Sequence, residues 1–207
     1  MRVSLALLLT VLFTLTTASA ATEARAAEEK NPRWTLDLKP VHTGTLTANG
    51  VQGPGGYLYM VFKVKNNSGI DGVRCRLGID VETDVPGRQY RGSFDPVVHT
   101  MVERKFNKKY KRMSQARVAM DDGDEIEVLA VFGRVDPNVD LFNFVIDGLK
   151  DRVYIDRYET WIEDTLRLVT YERKGDEFYR QYDLLKKKRE RWITREERKK
   201  LVRKNER

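Results

Sequence analysis

The chain of 207 residues carries 38 Lys and Arg against 31 Asp and Glu, a formal net charge of +7, and 41% of its residues are hydrophobic. A single cysteine, Cys75, excludes an internal disulfide, so burial alone must hold the fold together. The range 184–207 holds twelve basic and four acidic residues, so an argument for an anionic partner concerns first this tail.

The first twenty residues have the three parts of a secretory signal peptide. Arg2 supplies a positive start, the range 3–15 is largely apolar, and residues 18–20 form an A-x-A cleavage signal. The apolar run is shorter than the roughly 20 residues that a spanning helix needs. We therefore expect cleavage after Ala20 and a mature protein in the periplasm or outside the cell, with a retained N-terminal anchor as the alternative.

The mature chain is expected to begin with a flexible leader at 21–33, which is rich in alanine and glutamate without apolar periodicity. Alternating apolar residues from Trp34 to Leu38 then predict a first strand, and Pro40 indicates a sheet edge or a break. The glycine-rich range 47–56 is predicted to be a loop.

A β-hairpin is predicted next, with arms at 57–66 and 73–83. The apolar residues of both arms alternate along the chain: Leu58, Met60, Phe62, Val64, Val73, Cys75, Leu77, Ile79 and Val81. We expect these faces to form the core, with Cys75 as a small buried hydrophobe. The opposite face carries Tyr57 and Tyr59, which are predicted to offer a sheet surface to a partner.

A short helix is predicted between strands, after a turn and a short strand at 88–91. Asp95 is the expected N-cap, Pro96 occupies the first helical position, and the helix should cover 96–108. Within it, His99 and Glu103 lie four residues apart, which predicts a solvated helix pair rather than a metal site.

A second hairpin is predicted from Asp122-Gly123, which would join arms at 116–120 and 126–132. The acidic residues around Gly123 lack the spacing of a calcium-binding loop and are expected to form a polar hairpin tip. Strands should follow at 141–149 and 166–174. The range 151–164 stays ambiguous between an extended excursion and a short helix.

Two basic stretches remain. At 104–112 the cations surround Phe106 and Tyr110, which predicts either contact with a polyanion or inward packing of both rings. The range 176–207 is predicted to be a charged helical segment, with a capping box from Thr194 to Glu197. Its cations would either be solvated or contact anionic lipid or polymer: Lys186, Lys187, Lys188, Arg189, Arg191, Arg195, Arg198, Lys199 and Lys200.

About seven or eight short strands predict a mainly β fold, an immunoglobulin-like β-sandwich at 34–175 with one short inserted helix and the basic helical tail at 176–207. Several stretches resemble an uncharacterised family of exported bacterial proteins. They are an aromatic strand with an NN-Gly turn (57–69), the VETD strand end (81–84), an FG-x-x-DP segment with its following strand (131–149), the YERKGDEF run (171–178) and Trp192. The resemblance spans 57–192 and implies an envelope-associated module of immunoglobulin-like fold.

The sequence shows no catalytic, cofactor-binding or metal-binding pattern and no motif for specific nucleic-acid binding. We expect an exported, non-enzymatic binding or structural module of the cell envelope. Its partner would be an envelope protein or an anionic polymer or lipid surface, and its oligomeric state is left open. The alternatives are a hydrolase with converging carboxylates and a structural domain that assembles through sheet edges.

Overall fold

The computed structural model describes residues 34–151, 153–155, 160–162, 165–173 and 182–205. The expected signal peptide (1–20) and leader (21–33) lie outside these residues. The described residues fall into two compact units. The smaller contains the antiparallel hairpin of β10 (Val153–Ile155) and β11 (Thr160–Ile162), so these described parts of the ambiguous range 151–164 are extended.

The larger unit is mainly β. Its strands are β1 (Leu36–Gly50), β2 (Gly53–Asn66), β3 (Val73–Arg74), β4 (Gly78–Thr83), β5 (Gln89–Arg91), β6 (Lys111–Arg112), β7 (Ala119–Met120), β8 (Glu125–Arg134), β9 (Leu141–Asp147), β12 (Thr165–Glu172), β13 (Tyr182–Leu184) and β14 (Lys186–Thr194). Its helices are α1 (Pro96–Phe106) and α2 (Arg195–Asn205), and a 3-10 turn occupies Met113–Ala116.

Two five-stranded sheets form a sandwich-like core. The first has the order β13-β1-β2-β8-β6 and the second β14-β12-β9-β4-β5, and a separate two-stranded ribbon pairs β3 with β7. The inward side chains of both sheets meet in one buried cluster, in which Phe132 packs edge-on against Phe144. The alternation of apolar residues along each strand supplies this layer, because successive side chains point to opposite faces.

The outer faces of both sheets are partly covered by the helices. Val98 and Val102 of α1 pack over the first sheet, and Leu201 of α2 packs against a small cluster on the second. Asp95 fixes the start of α1, because its Oδ1 accepts from the amides of Val97 and Val98 at 3.0 and 3.1 Å. The predicted N-cap and helix are therefore confirmed.

The two hairpins predicted around the central strands are wrong. β2 pairs with β1 and β8, whereas β4 pairs with β9 and β5, so the chain crosses from one sheet to the other between them. The turn at Asp122-Gly123 is present, but β7 pairs with β3 while β8 pairs with β2. Alternation predicts which side chains face the core, but it does not reveal which strand lies alongside.

The glycine-rich range 47–56 is also not a loop. β1 runs on to Gly50 and β2 starts at Gly53, which leaves a two-residue turn with Gly53 at φ +86°. Such tight hairpins need a positive φ, and glycine adopts it without steric cost. Pro40 is accommodated by a shift in the β1–β2 register between Pro40 and His42.

The predicted helix across 176–194 is wrong for the part that the structure describes. β13 and β14 are strands, and only α2 is helical. β14 forms the edge of the second sheet, where Ile193 is buried against β12 and its neighbours. The capping box is confirmed, since the Thr194 amide donates to Glu197 at 2.8 Å and the Glu197 amide donates to Thr194 Oγ1 at 3.2 Å.

Candidate anion-binding surface

The cations predicted as an anionic contact are mostly engaged within the chain. On β14, Lys187 pairs with Glu190, and Lys188 lies 2.8 Å from Glu172. Lys186 also has an interaction partner, while Arg189 is exposed with no ion pair recorded among the described residues. Charged side chains on an edge strand also discourage pairing with a second sheet, so this strand has a structural reason to be basic.

The same holds along the rest of the tail. Arg191 pairs with Glu197 at 3.0 Å, Lys199 pairs with Glu196 at 2.9 Å, and Arg195 has a partner. Arg198 contacts two carboxylates of β4. Lys200 remains exposed without an ion pair in the described part of the chain. Most of the tail cations whose side chains the structure describes are therefore engaged within the chain, with Arg189 and Lys200 as the exceptions.

The sheet face of Tyr57 and Tyr59, the other predicted contact surface, is buried. Tyr57 and Tyr59 have none of their surface exposed and pack beneath Val98 and Val102 of α1. The Tyr57 hydroxyl donates to the Gly53 carbonyl oxygen at 2.7 Å. The prediction that these tyrosines form a sheet surface for a partner is corrected, because the helix that follows in the sequence covers that face.

The basic aromatic stretch at 104–112 is packed inward. The Phe106 ring stacks on His42 with centroids 4.0 Å apart, and Tyr110 is buried. Lys108 pairs with Glu127 and Lys109 with Glu103. Of the two alternatives for this stretch, inward packing of both rings is therefore the one observed.

The acidic tip around Gly123 holds two loops together. Asp121 accepts from the amide of Gly72 at 3.0 Å, and Asp122 accepts from the amide of Gly69 at 2.8 Å. Each carboxylate thus satisfies a backbone donor of the 67–72 loop. Within the described residues, no group of three or more His, Cys, Asp or Glu is arranged to hold a metal ion.

His99 and Glu103 form a buried pair rather than the solvated pair expected from the sequence. The His99 Nδ1 lies 3.7 Å from Glu103 Oε1, and both residues are over nine-tenths buried. Burial lowers the pKa of His99, and the nearby Arg112 and Lys109 lower it further while Glu103 opposes them. The imidazole is therefore kept neutral near pH 7.

Three arginines share the outward face of the β3–β7 ribbon. The amide of Cys75 donates to the carbonyl of Val118 at 3.0 Å, which extends the antiparallel register beyond β3. Cys75 points inward and is buried, so Arg74 and Arg76 on either side of it point outward. The same register sets Arg117 opposite Arg76. We call Arg74, Arg76 and Arg117 the arginine ribbon.

The arginine ribbon lines a depression of about 500 Å³, whose other lining residues are Cys75, Val118 and Ala119. Among the described residues, no carboxylate lines it. Like charges directly opposite each other on paired strands are destabilising, by up to about 1 kcal/mol. In the described part of the chain, Arg74, Arg76 and Arg117 form no ion pair that would relieve this repulsion. A bound oxyanion would relieve it, since the guanidinium fork matches carboxylate and phosphate oxygens bidentately.

A second groove of about 440 Å³ shares Arg117 with this depression. Arg112 lines it with its guanidinium carbon 3.8 Å from the centroid of the Phe94 ring. The groove also contains Asp80, which is engaged by Arg91 and Arg198. The part of the groove that Arg112 and Arg117 line therefore adjoins the arginine ribbon.

Sequence reasoning missed the arginine ribbon because its members lie far apart in the chain. Arg74 and Arg76 are visible as outward residues flanking Cys75, but they were assigned to a hairpin with the wrong neighbour. Arg117 comes beside them only through the pairing of β3 with β7. A charge count along the sequence favours continuous runs, and here most of the described cations in those runs pair with carboxylates of the same chain.

The chain is thus a mainly β protein with a sandwich-like core and a depression lined by three arginines. No protein-family model, curated protein or solved structure matches it. Among the helices in the described part of the chain, none is both long and apolar enough to cross a membrane.

Proposed function

We propose that this protein is an exported, non-enzymatic module that binds an anionic component of the cell envelope through the arginine ribbon. Export rests on the signal-peptide pattern at 1–20 and agrees with the resemblance to exported proteins of immunoglobulin-like sandwich fold. The observation that carries the binding proposal is the set of three exposed arginines around one depression, whose lining in the described part of the chain includes no carboxylate.

The chemistry of the arginine ribbon supports recognition of oxyanions rather than general attraction of counterions. All three cations are arginine, whose planar fork donates two parallel hydrogen bonds to one carboxylate or phosphate. They also extend from a paired ribbon whose inward residues, Val73, Cys75 and Met120, are buried in the main core. The ribbon backbone is therefore well anchored, which reduces the entropy lost on binding.

A hydrolase with converging carboxylates is less well supported. Asp80 and Asp147 line the same groove, but Asp80 is hydrogen-bonded to Arg91 and Arg198. Although burial raises its pKa, these arginines outweigh burial and keep the pKa of Asp80 below its ordinary value. A general acid in glycoside hydrolysis needs the opposite shift.

The test compares two triple variants of the mature chain, each of which removes three positive charges. In the first, Arg74, Arg76 and Arg117 become glutamine. In the second, Arg189, Lys199 and Lys200 become glutamine on the tail. Binding to long-chain polyphosphate is measured by calorimetry over a series of salt concentrations, with circular dichroism as a check on folding.

The ribbon variant should lose at least about tenfold in affinity, as expected when charge-assisted hydrogen bonds are removed. Its binding should also depend less steeply on salt, since fewer counterions are released. The tail variant should bind nearly as the unchanged chain does. Equal losses in the two variants would show non-specific attraction, and no loss in the ribbon variant would exclude the proposed site.

A further inference from the structure

We infer that the ligand is a linear polymer of repeating oxyanions that lies across two adjoining subsites, the arginine ribbon and the groove lined by Arg112. This inference rests on the proposed function and extends it from one anion to a chain of them. Its basis is that the two depressions adjoin at Arg117, which lines both.

Arg112 gives the groove a cation held in place. Its guanidinium lies 3.8 Å from the Phe94 ring centroid, and Phe94 is itself packed at 5.5 Å from the His99 ring. A cation–π contact at this distance restrains the guanidinium while leaving its N–H groups able to donate. Arg112 is exposed and forms no ion pair among the described residues, so its guanidinium N–H groups are open to a ligand.

The spacing of the cations favours an extended ligand. Arg74 and Arg76 lie two residues apart on an extended segment, which separates their Cα atoms by roughly 6.6 Å along the strand. Arg117 lies across from Arg76, and Arg112 lies beyond the 3-10 turn that precedes Arg117. Because these cations follow one another along the chain and across the ribbon, a chain of anionic units can engage them in turn.

The groove also offers neutral polar contacts beside its cations. Ser114 is exposed, and Ser93 donates to the Val131 carbonyl at 3.2 Å while its oxygen can still accept. Asp147 also lines the groove, on β9 directly across from Gly78 of β4. A carboxylate there repels further anions, so the anionic run should end at this point.

The test uses ligands that differ in length and in the chemistry of the oxyanion. The mature chain is titrated with orthophosphate, tripolyphosphate and long-chain polyphosphate, and separately with short and long oligogalacturonates. Affinity per chain should rise from tripolyphosphate to the long polymer, because a second subsite becomes reachable by the same molecule. Whichever polymer shows this rise more strongly identifies the oxyanion as phosphate or carboxylate.

Two single variants isolate the second subsite. Arg112→Gln should lower affinity for the long polymer by about tenfold and leave tripolyphosphate binding unchanged. Ser114→Glu should have the same selective effect by repulsion, and it keeps the test decisive if loss of the Arg112 stack disturbs folding. Lys200→Gln is the control and should alter neither.

The outcomes separate the two proposals. The polymer inference alone would be overturned if the arginine-ribbon variant lost all binding while the unchanged chain showed no dependence on ligand length. In that case Arg112→Gln and Ser114→Glu would also have no effect. Unchanged binding in the arginine-ribbon variant would overturn the proposed function as well. Equal effects of Arg112→Gln on short and long ligands would also contradict two separate subsites.

Discussion

Arg198 of α2 donates from Nε to Oε1 of Glu82 at 3.0 Å, which joins the C-terminal helix to β4. The same guanidinium donates from Nη2 to Asp80 at 2.8 Å. Glu82 is only 2% exposed, and its second oxygen has no hydrogen-bond partner among the described residues. One arginine thus fastens the tail to the second sheet, at the cost of a desolvated carboxylate.

Neutralising Glu82 and neutralising Asp80, the two acids that bind Arg198, should change the free energy of unfolding in opposite directions. Burial raises the pKa of Glu82, and the bonds from Arg198 offset this only in part. A raised pKa means that Glu82 contributes stability below its unfolded pKa of about 4.5 and loses that contribution as pH rises through the folded value. At pH 7, Glu82→Gln should therefore leave the free energy of unfolding unchanged or slightly higher.

Asp80→Asn is the matched comparison. The pKa of Asp80 is lowered despite burial, because Arg198 and Arg91 both donate to it, so its contribution is present at neutral pH and is lost on acidification. We expect this variant to lose about 1 kcal/mol of stability. Urea unfolding of both variants at pH 7 gives the comparison. A larger loss in Glu82→Gln than in Asp80→Asn would contradict this account.

The end of β14 should mark the boundary of the folded unit. From the sequence, truncation after Lys186 would be expected to spare the fold, because 176–207 was predicted as a helical appendage. The structure predicts the reverse, since β14 pairs with β12 from Lys186 to Thr194 and buries Ile193. Loss of this strand should cost several kcal/mol, comparable to a large core deletion.

A chain ending after Thr194 supplies the control, because it keeps the whole strand and removes only α2. It should remain folded, with a lower melting temperature from the exposure of the small cluster under Leu201. Circular dichroism and thermal melts of the two truncated chains measure the difference. A chain ending after Lys186 that melts like the longer one would show that β14 is dispensable.

The sequence predicts the inward face of the central strands, but neither the burial of Tyr57 and Tyr59 on the opposite face nor the pairing of the strands. The core positions from Leu58 to Val64 and from Val73 to Val81 are buried as their alternation indicates. Their neighbours could not be predicted, because the 67–72 loop has the composition of a hairpin turn although it carries the chain between sheets. The paired carboxylates that bind this loop, Asp121 and Asp122, are about fifty residues away in the sequence.

The tail shows a second limit on what its sequence could predict. Lys, Arg and Glu favour helices, and the local composition of 186–194 therefore predicts a helix. Pairing with β12 overrides this preference, because Ile193 gains burial and the backbone gains a ladder of hydrogen bonds. The capping box at Thr194 was still correct, since it depends on a short-range contact with Glu197.

Cys75 should be unreactive in the folded protein. Its side chain is buried, and burial raises the pKa of the thiol to about 11, so almost no thiolate exists at neutral pH. We expect labelling by a disulfide reagent at pH 8 to be very slow in buffer and rapid in denaturant. Rapid labelling of the native chain would show that the β3–β7 ribbon opens readily, which would weaken the case for a preformed arginine ribbon.

The stability of the larger unit should fall as the pH drops below the ordinary histidine pKa of 6.5. Burial lowers the pKa of His99. Burial also lowers the pKa of His42, which Glu127 raises and Lys105 lowers, and the pKa of His42 stays below its ordinary value. A histidine with a lowered folded pKa is neutral in the native state but protonated when unfolded. The unfolded state then binds more protons as the pH falls from 6.5, and stability decreases.

The variants His99→Leu and His42→Leu separate the two contributions. Each histidine can account for at most about 1.4 kcal/mol per pH unit, and each variant should make the stability profile flatter between about pH 7 and pH 5.5. His99→Leu should have the larger effect, because His99 is more deeply buried and Arg112 and Lys109 also oppose its protonation. Urea unfolding across this range measures the slopes. An unchanged slope in His99→Leu would mean that His99 binds its proton equally in the folded and unfolded states, with Glu103, 3.7 Å from Nδ1, offsetting the effect of burial.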